Sequence, residues 1–257
     1  GSLSNERRIA GSKTESITQP EWSPVGLLFF VSDVSGWWNL TFWDGQSTRA
    51  FLKEELDHAE APWQFGYSTY GFLNDGSLVL GADSANPATL RRFETGGREL
   101  PGLGSEDSTI RYVTTVDQCV LYVGASPMSL PEIVSVHSVT GIRSVLKRSN
   151  DLEVDPDGIS KPCAITFPTT DNAEAHAFYY PPWNSQVEAS DKEKPPLLVI
   201  THGGPTGAAV SDLSLRVQFW TSRGFAVVDV NYRGSTGYGR SYRDALKGMW
   251  GVYDTAD

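Results

Sequence analysis

The residues best suited to chemistry lie in Pro196–Gly207, PLLVITHGGPTG, where an apolar run stops at His202, Gly203, Gly204 and Pro205. Glycine adopts backbone angles closed to other residues and lets another atom come close to its N–H. A backbone N–H fixed at such a turn can meet the oxygen that becomes negative when a carbonyl is attacked. One donor of this kind is worth roughly 3 to 4 kcal/mol of barrier. By itself the tetrad is equally compatible with a plain tight turn, so its meaning depends on the elements around it.

Those elements have a recognisable order. LLVIT reads as a strand buried on both faces. In SDLSLRVQFWTSRG, Leu213, Val217 and Trp220 fall at i, i+4 and i+7, the stripe of a helix lying on a sheet. Ser211 or Asp212 can cap that helix and Gly224 can end it. FAVVDV, Phe225 to Val230, is a second buried strand, so strand, helix and strand form a parallel βαβ unit. Upstream, AITFPTT and AHAFYYPP are strand-like runs around Asp171-Asn172, and SYRDALKGMWGVYDTAD opens another helical region. In open α/β sheets ligands bind beyond the carboxyl ends of the strands, where the glycine pair falls.

The chain before residue 160 follows a different rule. GLLFFVSDVSGWWNLTFWDGQSTRAFL, GFLNDGSLVLGADSANPATLRRFETGGREL and YVTTVDQCVLYVGASPMSLPEIVSVHSVTGIRSVL repeat one plan. A β-rich run (Phe29 to Asp33, Leu78 to Asp83, Val120 to Ser126) is followed by a second run, a tight turn and a third run. The turns are Asp44-Gly45, Gly96-Gly97 and Thr140-Gly141, which are hairpin signals. Their spacing, roughly 45 to 50 residues, matches four-stranded propeller blades, with a sandwich of irregular hairpins as the alternative. Closed propellers carry about four to eight blades, so further blades are expected outside these three units. Trp37, Trp38, Trp43 and Trp63 read as core and blade-to-blade packing.

Two sets of motifs carry a family resemblance. PEWSPVGLLFFVSDVSGWWNL resembles the blades of prolyl oligopeptidase-family propellers, with Val25 in place of the usual aspartate, and APWQFGYSTYGFLNDGSLV resembles the blade that follows. HGGP together with VNYRGSTGYGRSYRDALKGMWG resembles the signature of that family of serine peptidases, closest to its acylaminoacyl-peptidase and dipeptidyl-aminopeptidase-like branch. The fold class it implies is partial all-β propeller blades followed by the N-terminal half of an α/β-hydrolase domain. The expected boundaries are 1–160 for about three blades and 161–257 for the first part of the catalytic domain. The resemblance further implies that the Gly204 N–H is the oxyanion donor, within a loop of His202, Gly203, Gly204 and Pro205 that His202 braces. It makes Tyr232 to Gly239, including Tyr232, Arg233, Gly234 and Tyr238, the loop flanking the active site, with Arg233 anchoring it by ion pairing. Short peptides are the implied substrate and the remaining part of the same protein the implied partner.

The nucleophile elbow Gly-x-Ser-x-Gly occurs nowhere in the 257 residues; GSTG at Gly234 to Gly237 is one residue short. In α/β-hydrolases the order is Ser, Asp or Glu, His, and the family resemblance implies that all three lie after Asp257. His58, His137, His176 and His202 all precede that point, so no catalytic residue is expected within the chain. The expectation is a segment of a serine peptidase, inactive alone. A non-catalytic propeller-plus-scaffold binding protein, or an esterase on the same fold, are the alternatives. No cofactor or metal is expected: no His or Cys pair has ligand spacing, and Asp151 to Asp157 reads as a solvated turn. A formal charge of −10 with no basic run argues against nucleic acid and anionic membranes. No apolar run approaches the roughly 20 residues of a membrane span. Cys119 and Cys163 read as buried free thiols, which fits a reducing cytoplasm.

Overall fold

The computed structural model describes residues 4–63, 65–82, 88–104, 106–152, 154–187, 193–204 and 206–257. Asp83, Pro205 and part of the loop before Pro196 therefore lie outside the described residues. Three four-stranded antiparallel meanders come first: β1–β4 (Ile17–Trp22, Leu28–Ser32, Asn39–Trp43, Thr48–Ala50), β5–β8 (Tyr70–Phe72, Leu78–Ala82, Thr89–Phe93, Glu99–Leu100) and β9–β12 (Thr109–Val116, Cys119–Ser126, Ser129–His137, Arg143–Arg148). Each is ordered by simple succession, as in a propeller blade. The turns Asp44-Gly45, Gly96-Gly97 and Thr140-Gly141 all connect third to fourth strands. The first strand of each sheet is the one that the hairpin reading did not separate out.

Period-2 alternation explains how the sheets stack. In β6, Leu78 and Leu80 join Phe29, Val31, Trp38 and Leu40 of the first sheet. Val79, between them, joins Ile110, Val113, Val120 and Val134 of the third. The middle sheet is thus covered on both faces, which is why LVL runs without a polar break. Trp38 lies in this core, whereas Trp63 is 66% exposed, so the packing role expected of Trp63 does not hold. The thiols also differ from expectation: both are free, but Cys163 is exposed and Cys119 half-buried.

The last sheet has the order β13-β14-β16-β15 (Cys163–Pro168, Glu174–Tyr180, Ala226–Asn231, Leu197–Thr201). β13 and β14 form a hairpin around Asp171 and Asn172, both in the left-handed region that Asp and Asn tolerate better than most. β15 and β16 are parallel and joined through α1 (Leu215–Thr221). Val217 packs with Tyr180, Val227, Leu198 and Ile200 on one face. On the other, Leu246 meets Ala177, Val230 and Tyr232, beside α2 (Gly239–Asp244) and α3 (Tyr253–Ala256). Blade-like all-β sheets followed by an α/β sheet is the fold class expected.

Two local readings change. The α1 cap is Ser214, whose Oγ accepts from the Val217 N–H. Leu213 precedes the helix and donates its N–H to Ser126 O, while the Asp212 carboxylate accepts from Ser108 and Thr109 of the third sheet. Trp220 is 37% exposed. Among the described residues β15 pairs only with β16, and Leu197 and Val199 are 55% and 62% exposed. It is an edge strand covered on one face, and a continuous apolar run cannot distinguish that from full burial. No helix of the described residues is long and apolar enough to cross a membrane.

The blade stacking can be tested at Gly81. A Cβ there would lie 2.8 Å from Ile110 Cγ2 and 3.1 Å from Val113 Cγ2. Gly81→Ala is expected to destabilise the chain by about 1–3 kcal/mol in urea melts. The companion Gly96→Ala, where a Cβ meets nothing within 4 Å, should change stability much less.

Candidate active site

At the carboxyl end of β15 the chain turns through Gly203 and Gly204, both exposed. Gly204 has φ +78° with nothing within 4 Å of a would-be Cβ. Among the described residues no acceptor receives its N–H. Gly207 is constrained by space instead, since a Cβ there would lie 2.9 Å from both Gly203 O and His202 Nδ1. The turn is therefore folded back tightly on His202.

The end of β16 and the segment after it support this turn at four points. The Tyr232 ring stacks on His202 at 4.5 Å between centroids, and its hydroxyl donates to His202 O at 3.3 Å. His202 Nε2 lies 2.7 Å from Ser235 Oγ. Thr236 N–H donates to Gly207 O at 3.0 Å. Asn231 holds Ala209 from both sides, accepting its N–H at 2.7 Å and donating to its carbonyl at 3.3 Å. Burial keeps His202 below the usual histidine range, opposed by its contact with Gly203 O. The single Ser235 hydroxyl proton is donated to Tyr232 O at 2.7 Å, so Ser235 Oγ accepts from His202 Nε2–H.

Arg233 is buried beneath the same segment. Its guanidinium donates to both oxygens of the fully buried Asp257 carboxylate at 2.7–3.0 Å and to Thr170 Oγ1 at 2.7 Å. Its own backbone N–H reaches Asp257 Oδ2 at 2.7 Å, and the guanidinium lies 3.8 Å over the Tyr253 ring. Burial alone would raise the Asp257 carboxyl; the Arg233 and Thr169 donors bring it below its ordinary value. At Gly234 a Cβ would come within 2.6 Å of Leu246 Cδ2. Tyr238 stacks on His176 at 4.2 Å and accepts from Asn231 Nδ2 at 3.0 Å.

The blades hold the far side of this segment. Asp33, wholly buried, accepts from Arg243 at 2.7 Å, from Arg240 through both carboxylate oxygens, and from Ser16 N–H. Asp57 accepts from Trp38 N–H at 2.8 Å, Gly237 N–H at 3.2 Å and Gly239 N–H at 3.1 Å. Between the two halves lies a cavity of about 260 Å³, lined by His58, Thr109 and Arg111 from the blades and by Ala209, Asn231 and Tyr238. Arg111 is paired with Glu60 at 2.9 Å. Among the described residues no group of three or more His, Cys, Asp or Glu is placed to hold a metal ion.

His202, Gly203, Gly204, Tyr232, Arg233, Gly234 and Tyr238 thus lie in two adjoining segments, with Pro205 outside the described residues. The residues that bind those segments together were not singled out from the sequence. Asn231 and Gly207 stand inside the quoted motifs, but Asp33, Asp57 and Asp257 are single carboxylates whose partners are far away in the chain.

Comparison with known proteins agrees with this picture. Residues 211–257 match the profile of the Prolyl oligopeptidase family. Dipeptidyl-peptidase 5 of Aspergillus fumigatus is 27% identical over 207 residues, covering 77% of this chain and 28% of that protein. The acylamino-acid-releasing enzyme of Mus musculus is 42% identical over 67 residues, 26% of this chain and 9% of that protein. A puromycin-hydrolyzing peptidase of Mycobacterium tuberculosis superposes with a TM-score of 0.91 at 32% identity, covering 97% of this chain and 39% of that one. The structure of puromycin hydrolase gives 0.89 at 34%, covering 98% and 38%. The chain spans less than a third of these curated relatives. The resemblance to the prolyl oligopeptidase family read from the sequence is borne out.

One carboxylate on the strand leading into the site gives a pH test. Asp229 of β16 is pushed up to about 6 by burial, only partly offset by Arg216. Its folded value lies above the unfolded one, so its contribution favours the fold at low pH and is lost as pH rises through about 6. Asp229→Asn should therefore gain stability over the parent at pH 8, with the gain shrinking toward pH 5, in paired denaturant melts. An equal difference at both pH values would contradict this.

Proposed function

We propose that this chain is a segment of a prolyl oligopeptidase-family serine peptidase that hydrolyses short peptides through an acyl-enzyme. The observation that carries this reading is that Gly204, exposed at the carboxyl end of β15, donates its N–H to no acceptor among the described residues. In the proposed reaction a serine attacks the scissile carbonyl, a histidine moves the proton, and the Gly204 N–H receives the oxygen as it becomes negative. His202 braces the turn, and Pro205 belongs to the same loop. Tyr232, Arg233, Gly234 and Tyr238 form the flanking loop, with the Arg233–Asp257 pair as its anchor.

The Gly-x-Ser-x-Gly elbow does not occur among residues 1–257, and His58, His137, His176 and His202 all precede the place where the family order would put it. The proposal therefore assigns the triad to another part of the same protein and the oxyanion loop to this one, with the change from blades to catalytic domain near residue 160. The edge of β15 that pairs with no other strand among the described residues supports this, because such an edge can take up a further strand. A blade-to-sheet seam enclosing a small cavity favours short, flexible peptides over folded proteins.

A fluorophosphonate probe tests the reading. The 257-residue chain should remain unlabelled and turn over no peptide. A longer protein containing it should label at one serine outside residues 1–257 and cleave short peptides. Labelling of the isolated chain at any serine would refute the assignment.

A further inference from the structure

The oxyanion turn is not held by its own domain alone. Asp57 lies in the connection between the first and second blade sheets and is 5% exposed. Its Oδ2 accepts from the N–H groups of Gly237 and Gly239, while Oδ1 accepts from Trp38 N–H in the first sheet's core. The two glycine donors flank Tyr238. The Tyr238 hydroxyl meets Asn231, and Asn231 brackets Ala209 on the segment that leaves Gly203-Gly204. Next to Gly237, Thr236 donates its N–H to Gly207 O. The hydrogen bonds that run from Asp57 to Ala209 and Gly207 measure 2.7 to 3.3 Å and are joined by the backbone of residues 236–239.

We propose that Asp57 is a positioning residue for the Gly203-Gly204 turn: a blade carboxylate that fixes the 237–239 backbone and, through Tyr238 and Asn231, the strand of loop carrying the oxyanion donor. The proposal rests on the peptidase reading for its catalytic meaning, but the relay itself does not. A carboxylate suits the task because three N–H donors converge on two oxygens, and charge-assisted bonds of this type are about twice as strong as neutral ones. Asparagine cannot replace it. With only one oxygen, its NH₂ must face either Trp38 N–H or the Gly237 and Gly239 pair.

The test is amide hydrogen exchange on the 257-residue chain with Asp57→Asn and, separately, Tyr238→Phe. In Asp57→Asn, protection should fall about tenfold or more at Gly237 and Gly239 and also at Thr236 and Ala209, while amides in the second and third blade sheets change little. In Tyr238→Phe, which keeps the Asp57 contacts and removes only the hydroxyl, Ala209 should lose protection and Gly237 and Gly239 should keep it. Unchanged exchange at Ala209 in both variants, or uniform loss throughout the chain, overturns the proposal. In a catalytically competent protein carrying this segment, Asp57→Asn should lower kcat about tenfold or more with KM within about threefold, the split expected when a transition-state donor is misplaced. A larger KM effect with kcat unchanged also overturns it. A parent protein without peptidase activity refutes the peptidase reading and leaves the exchange result to decide the relay.

Discussion

A buried carboxylate cannot stay unpaired. Removing one from water costs several kcal/mol unless donors of good geometry replace the lost hydration. Asp33 is wholly buried in the blades, yet its strongest partners, Arg240 and Arg243, come from the segment after β16. Asp57 follows the same pattern with the amides of Gly237 and Gly239. Asp212 reverses it, as a carboxylate before α1 that takes its donors from Ser108 and Thr109 of the third sheet. Charge and donor are thus divided across the seam in both directions, and separating the halves would leave unpaired groups on each side. The Arg240 N–H to Gly36 O bond and the Leu213 N–H to Ser126 O bond make the same join without charge.

This constraint reaches the glycine turn in steps. The blades fix residues 237–243; Arg233 and Asp257 fix the start of the same segment from the other side. That segment fixes His202, Gly207 and Ala209. Gly203 and Gly204 remain exposed within that frame, and among the described residues no acceptor receives the Gly204 N–H. His202 contributes as a neutral ring within the frame. Burial lowers its proton affinity and so favours that neutral form.

How much of this was legible in the sequence depended on the range of each interaction. The hairpin glycines, the βαβ run and the HGGP and NYRGSTGYG motifs are local patterns, and the elements they announce are where they were expected. Edge position is not local. Leu197 to Thr201 has the composition of an interior strand, and only its place in the sheet reveals that, among the described residues, one side is unpaired. Burial of Cys163 and Trp63 failed for the same reason, since residue type predicts average burial and neighbours decide the actual one. The seam was invisible because Asp33 and Arg240 are 207 residues apart, and nothing in either neighbourhood signals the other.

The open side of β15 and the glycine turn belong to one geometric argument. In a parallel sheet, neighbouring strands end at the same edge, so a strand added parallel to β15 would finish beside Gly204. A residue at the sharp turn following such a strand would then stand next to the Gly204 N–H, and its following backbone N–H could supply a second donor to the same oxygen. An oxyanion site needs both. The exposed Leu197 and Val199 side chains on the uncovered face mark where further apolar cover would be required for that strand to be retained. A strand taken up at that edge would bring a second donor beside Gly204, which is what the proposed oxyanion role calls for.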